Sequence, residues 1–184
     1  MLQKSLAIAV LAVLPALVSA CTSSGGPGIY EISSQGLSIE VEIPAEPAGE
    51  LINDVLDYAR EMGLAEDLTW AFVQVVNESD VILSFCDLVV LDESGRRFEL
   101  KAPSDLVYEA RDTVPSGEVE DYNRGVNLIN QTLETNRIDY LPGESAEFYV
   151  AFLGDASNPS SVFGGSYSFD LTEIDCENRA SKKD

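Results

Sequence analysis

Apolar and polar residues alternate without a break along Leu37-Ser38-Ile39-Glu40-Val41-Glu42-Ile43. A period of two over such a stretch predicts a strand with one buried and one wet face, closed by Pro44 and Pro47. The period then changes. Ile52, Val55, Leu56 and Ala59 fall at helical spacing, with acids in the first turn, Arg60 in the last and Gly63 behind it, which predicts a helix over 50–62. Leu68–Asn77 is rich in Trp, Phe and Val and reads as a strand, Asn77–Asp80 as a turn and Val81–Leu91 as a long apolar strand. Asp92-Glu93-Ser94-Gly95 turns tightly into Arg96–Lys101, completing a hairpin that Pro103 ends.

Residues 104–137 interrupt the β pattern. Val119, Tyr122, Val126, Ile129 and Leu133 keep helical spacing, which predicts a helix over 118–135 with Ser116 as a candidate N-cap, although Gly125 lowers its propensity. Strands return at Ala146–Leu153, with Phe148, Val150 and Phe152 on one face, and at Ser166–Thr172, with Tyr167, Phe169 and Leu171 on one face. Asn178–Asp184 reads as a polar tail. The order of elements predicts a mainly β fold: an antiparallel β-sandwich with two helical additions, at about 50–62 and 118–135.

The N-terminus follows a different logic. One cation, Lys4, precedes the apolar run Leu6–Val18, too short to span a bilayer as a helix and suited to the h-region of an export signal. Val18-Ser19-Ala20-Cys21 resembles the lipobox of bacterial lipoproteins. That resemblance implies a signal peptide over 1–20, removed on maturation, and lipidation of Cys21 as a membrane anchor. The small, glycine-rich residues that follow imply a flexible tether over 21–29, a folded domain over 30–177 and the polar tail over 178–184. The expected location is the cell envelope. Thr22, where Asp would retain the protein, implies the outer membrane facing the periplasm in a two-membrane cell, and otherwise the outer face of the plasma membrane.

Composition narrows the chemistry. The chain of 184 residues carries 32 acids against 11 cations, a formal net charge of −21, and no histidine. Phosphate-bearing partners would be repelled, which argues against nucleic acid and anionic lipid as partners, and no nucleic-acid partner is expected. Without histidine there is no Ser-His-Asp or Cys-His catalysis and no histidine-bearing zinc site. With Cys21 assigned to lipid, Cys86 and Cys176 remain, and an oxidising compartment favours a disulfide between them over two separate buried thiols.

At the centre of the chain a set of motifs falls in order: Val75-Val76-Asn77-Glu78-Ser79-Asp80, then Leu88-Val89-Val90-Leu91-Asp92-Glu93-Ser94-Gly95-Arg96-Arg97-Phe98, then Tyr140-Leu141-Pro142-Gly143-Glu144 ahead of a Phe-rich strand. This resembles the immunoglobulin-like lipoprotein domains of the DUF4352 and FxLyD families, over roughly residues 68–172. The resemblance implies an immunoglobulin-like sandwich and an extracytoplasmic place. The helical stretch within 104–137 departs from it.

Other groupings have plain readings. Asp92–Gly95 lacks the distal bidentate Glu of a calcium loop and reads as a hairpin turn. Glu118-Val119-Glu120-Asp121 reads as a solvated helix start, and Trp70 and Phe72, on one side of a strand, as core packing. Asn77-Glu78-Ser79 matches a glycosylation sequon but reads as a turn, and Ser104 after Lys101 has the wrong order for a Ser-x-x-Lys nucleophile. No catalytic, cofactor-binding or metal-ligating set emerges, so no cofactor is expected. The expected function is a non-enzymatic, lipid-anchored binding or structural module whose partners are the membrane, through its anchor, and an envelope or extracellular protein. The alternatives are a Ca²⁺-responsive acidic module and a carboxylate-only glycan hydrolase, the latter needing two carboxyl groups roughly 5–10 Å apart in a cleft.

Overall fold

The alternation at Leu37–Ile43 lies inside a larger antiparallel array. The computed structural model describes residues 25–64, 68–135 and 138–183. The expected signal segment 1–20 and the expected lipidation site Cys21 lie outside these residues. The strands are β1 (Gly28–Ser34), β2 (Leu37–Ile43), β3 (Leu68–Asn77), β4 (Leu83–Phe85), β5 (Val89–Leu91), β6 (Arg97–Lys101), β7 (Asp139–Tyr140), β8 (Ser145–Leu153), β9 (Ser161–Ser168), β10 (Ile174–Arg179) and β11 (Ser181–Lys182). The fold is mainly β and the strands wholly antiparallel, hydrogen-bonded in the order β11-β1-β2-β3-β8-β6-β5-β9-β4-β7, where β5 and β4 lie end to end along one side of β9 and β10 lies along its other side.

The array folds over on itself at β6. Arg97–Glu99 pair with β5, while Leu100 and Lys101 pair with β8, so one strand turns the corner between two facing halves. Ile39 and Val41 of β2, Val73 and Val75 of β3 and Phe152 of β8 then meet Leu83, Leu88, Val90 and Val162 of the other half in one buried core. The result is a β-sandwich. Its open side is closed by the C-terminus. Ala180 is buried, and Lys182 pairs with Tyr30 of β1. Lys183 Nζ lies 2.6 Å from Glu31 and also pairs with Glu40. The residues read as a polar tail are therefore strands. Charged side chains hid a segment whose backbone, rather than its side chains, does the joining.

Three helices add a third layer: α1 (Glu50–Glu61), α2 (Pro103–Arg111) and α3 (Val119–Thr135). They cover the outer face of β3 and β8, where Trp70 and Ala151 pack with Val55 and Tyr58 of α1, Leu106 and Val107 of α2 and Leu128 and Ile129 of α3. The helix α2 was not expected from the periodicity. Pro103 ends the hairpin and also begins this helix, where a missing N–H costs nothing, and the Asp105 carboxylate accepts the Ala102 N–H at 3.1 Å. In α3 the buried face is Gly125, Leu128, Ile129 and Thr132, while Val119, Tyr122 and Leu133 of the expected stripe are exposed. Gly125 sets that rotation. A Cβ there would stand 2.5 Å from the Tyr58 hydroxyl oxygen, so the glycine lets α1 and α3 close. Among the described residues no helix is long and apolar enough to cross a membrane.

Two further expectations shift. The long strand over Val81–Leu91 is broken into β4 and β5 at Cys86-Asp87-Leu88. The last expected strand, 166–172, is instead β9 at 161–168, and Phe169 and Leu171 lie exposed in the following turn. The tether expected over 21–29 overlaps the fold. The Gly26 N–H donates to the Pro159 carbonyl, and β1 is paired from Gly28 onward.

Candidate functional site

The outer faces of the two halves differ. Helices cover the first, at β3 and β8. On the second, Val90, Val162 and Gly164 point into the core, so the pleat turns Val89, Leu91, Phe163 and Tyr167 outward. These four, half-buried, line a groove of about 670 Å³ together with Phe85 and Ile138. Ile174, paired with Tyr167 and 68% exposed, extends the apolar surface past the groove's end, and Ile138 is 56% exposed.

The floor of the groove is built around β9. Cys86 sits in the break between β4 and β5, where its N–H donates to the Gly165 carbonyl at 3.0 Å. Cys176 sits opposite, in the irregular stretch of β10 between Asp175 and Asn178. The two sulfurs are at disulfide distance, with Cα atoms 5.6 Å apart. The cross-link spans β9 over Gly165, where any side chain would collide with the Asp175 carbonyl and the Cys176 backbone. Two cysteines ninety residues apart thus meet because a bulge on each neighbour of β9 leans across Gly165, the outward residue of that strand without a side chain.

Charge marks the rim. Asp87 and Glu177, each next to a cysteine, are exposed carboxylates lining the groove. The guanidinium of Arg97, which also lines it, is engaged by Glu99 at 3.2 Å. The groove therefore offers an apolar floor and two carboxylates without an ion pair among the described residues. That chemistry suits burial of an apolar partner with cations above it.

The other residues singled out in the sequence lie elsewhere. Trp70 is buried under the helices, whereas Phe72 stands beyond them, half-buried against Tyr149 at a ring separation of 5.1 Å. Asn77 is fully buried and donates from Nδ2 to the carbonyls of Val81 and Tyr140, both at 2.8 Å. Its Oδ1 accepts the Ser79 N–H, so the sequon is a buried turn. Asp92 Oδ1 accepts from the Ser94 N–H and hydroxyl and the Arg96 N–H, and these bonds hold its carboxyl below the usual range. The same Asp-x-Ser/Thr device recurs at Asp155-Ala156-Ser157 and Asp170-Leu171-Thr172, each carboxylate held low chiefly by its hydroxyl partner. Glu120 and Asp121 lie in the first turn of α3. Ser104 is buried within α2. Among the described residues no group of three or more His, Cys, Asp or Glu side chains is placed to hold a metal ion.

Sequence reasoning missed the groove itself. Its signal was present in Phe163-Gly164-Gly165-Ser166-Tyr167, two aromatics on one face with glycines between them, but the strand was placed several residues too late. Comparison with family models, with curated proteins and with solved structures finds no match to this chain.

Proposed function

We propose that the protein is a non-enzymatic binding module, exported and held on the cell envelope by lipid on Cys21, that engages a protein partner through the outer face of β5, β9 and β10. The observation that carries this reading is the uncovered apolar groove. Contiguous apolar surface left open beside a well-filled core is a mark of interaction sites in soluble domains.

The first described residues support it. Gly25 and Gly26 lie against Pro159 and Ser160, immediately before β9. The groove therefore begins near residue 25, four residues after the proposed anchor in sequence, and runs along the outer face of β9. A domain tethered there presents this face to a lateral neighbour. The resemblance to immunoglobulin-like lipoprotein domains, and a cysteine pair suited to an oxidising compartment, fit the same reading.

The test is native electrophoresis of the intact protein gently extracted from its own membranes. The wild type is expected in a complex larger than its own mass, and a Phe163→Asp/Tyr167→Asp variant that still melts cooperatively is expected alone. A wild type that migrates alone overturns the proposal. Palmitate labelling lost on Cys21→Ser checks the anchor separately.

A further inference from the structure

Resting on that proposed binding role, we infer that the groove takes an extended protein segment in which apolar side chains alternate with lysine or arginine. Shape supplies the first half of the argument. The groove is lined along β4 and β5 from Phe85 to Leu91 and along β9 by Phe163 and Tyr167, on either side of the cross-linked Gly165, which gives a floor roughly 20 Å long at about 3.3 Å per residue. An extended segment of about seven residues matches that length, putting alternate side chains down and the rest toward the rim.

Charge supplies the second half. Asp87 and Glu177 flank the disulfide on opposite sides, both exposed, and the lining cation Arg97 is engaged by Glu99. A purely apolar occupant would strip water from these carboxylates without pairing them, which is unfavourable. An anionic occupant, whether lipid headgroup, nucleic acid or acidic peptide, meets both the rim and a chain of net charge −21. Cations at alternate positions pair with the rim while the apolar set fills the floor. Exposed pairs of this kind contribute modest affinity and more to selectivity and encounter rate.

The experiment uses the full-length anchored protein in neutral-lipid nanodiscs. Three labelled seven-residue peptides, alternating Leu with Lys, with Ser or with Glu, are titrated by fluorescence anisotropy against wild type and three variants. The Leu–Lys peptide is expected to bind wild type about tenfold tighter than either other peptide. Asp87→Lys/Glu177→Lys should invert the preference, whereas the same reversal at Glu78 and Glu147 should leave it intact. Tyr167→Glu should abolish binding. Equal binding of all three peptides, lost in Tyr167→Glu, overturns the charge inference while leaving the binding face standing. Binding insensitive to Tyr167→Glu, or no binding of any peptide, overturns both.

Discussion

The carbonyl oxygen of Asp175 lies 1.8 Å from the point where a Cβ on Gly165 would stand. No other glycine among the described residues meets backbone so closely. The relationship fixes how β10 crosses β9 and how Cys176 reaches Cys86. Gly165→Ala must push β10 off β9, and overpacking against backbone is expected to cost about 3 kcal/mol. At the neighbouring Gly164 a Cβ meets only the side-chain ends of Leu88 and Ile32, which can shift. Gly164→Ala is expected to cost about 1 kcal/mol. Urea melts of the two variants check the ratio. Equal costs would mean that the crossing is looser than described.

The cysteine pair closes a loop over a separation of ninety residues. In the chain-entropy model such a closure contributes about 4.6 kcal/mol. Non-reduced protein is expected two hydrogen masses lighter than reduced protein, and Cys86→Ser/Cys176→Ser is expected to unfold at markedly lower denaturant. Free labelling of both thiols in the native protein would refute the pairing.

Asn77 ties the β3–β4 and β7–β8 loops together at one end of the sandwich through its side chain and backbone, reaching Val81, Tyr140, Glu144 and Gly143. Asn77→Ala leaves the carbonyls of Val81 and Tyr140 short of a buried donor, at an expected cost of about 3 kcal/mol. Asn77→Asp keeps the shape but removes the donor and should be no better. If either variant melts like the wild type, the buried turn does not hold this end together.

Burial, reinforced by the nearby Glu144 carboxylate, pushes the Tyr140 phenol up to about 12. The raised value favours the neutral phenol in the folded state. Its contribution to stability is therefore complete below the ordinary tyrosine value of about 10 and is lost as pH climbs from there through 12. Ultraviolet titration of the folded protein should show a late-ionising tyrosine, absent in Tyr140→Phe, and alkaline melts should fall less steeply in that variant between pH 10 and 12. Identical titration curves for the two proteins would contradict the burial.

Much of this architecture was legible where one period dominates. Strand β2 announced itself by strict alternation, and helix α1 by a clean apolar stripe ending at Arg60 and Gly63. Elements whose reason lies in their neighbours were harder to read. Strand β11 is polar throughout and exists because its backbone pairs with β1. The buried face of α3 is set by Tyr58, which fills the space that Gly125 leaves open, and not by the strongest apolar stripe. The cysteine pair is readable from the count of cysteines and the expected compartment. The groove was not, because an outward Phe163 or Tyr167 is indistinguishable in sequence from an inward one until the register of β9 is known.

The binding role rests on what touches the open face in the cell. A photo-crosslinking amino acid at position 163, introduced into the full-length protein expressed in its own cells, reports that contact directly. One discrete protein adduct is expected from position 163 and none from position 147, on the outward side of β8 in the other half-sheet. Absence of an adduct at 163, or the same adducts from both positions, would contradict a working surface on β9.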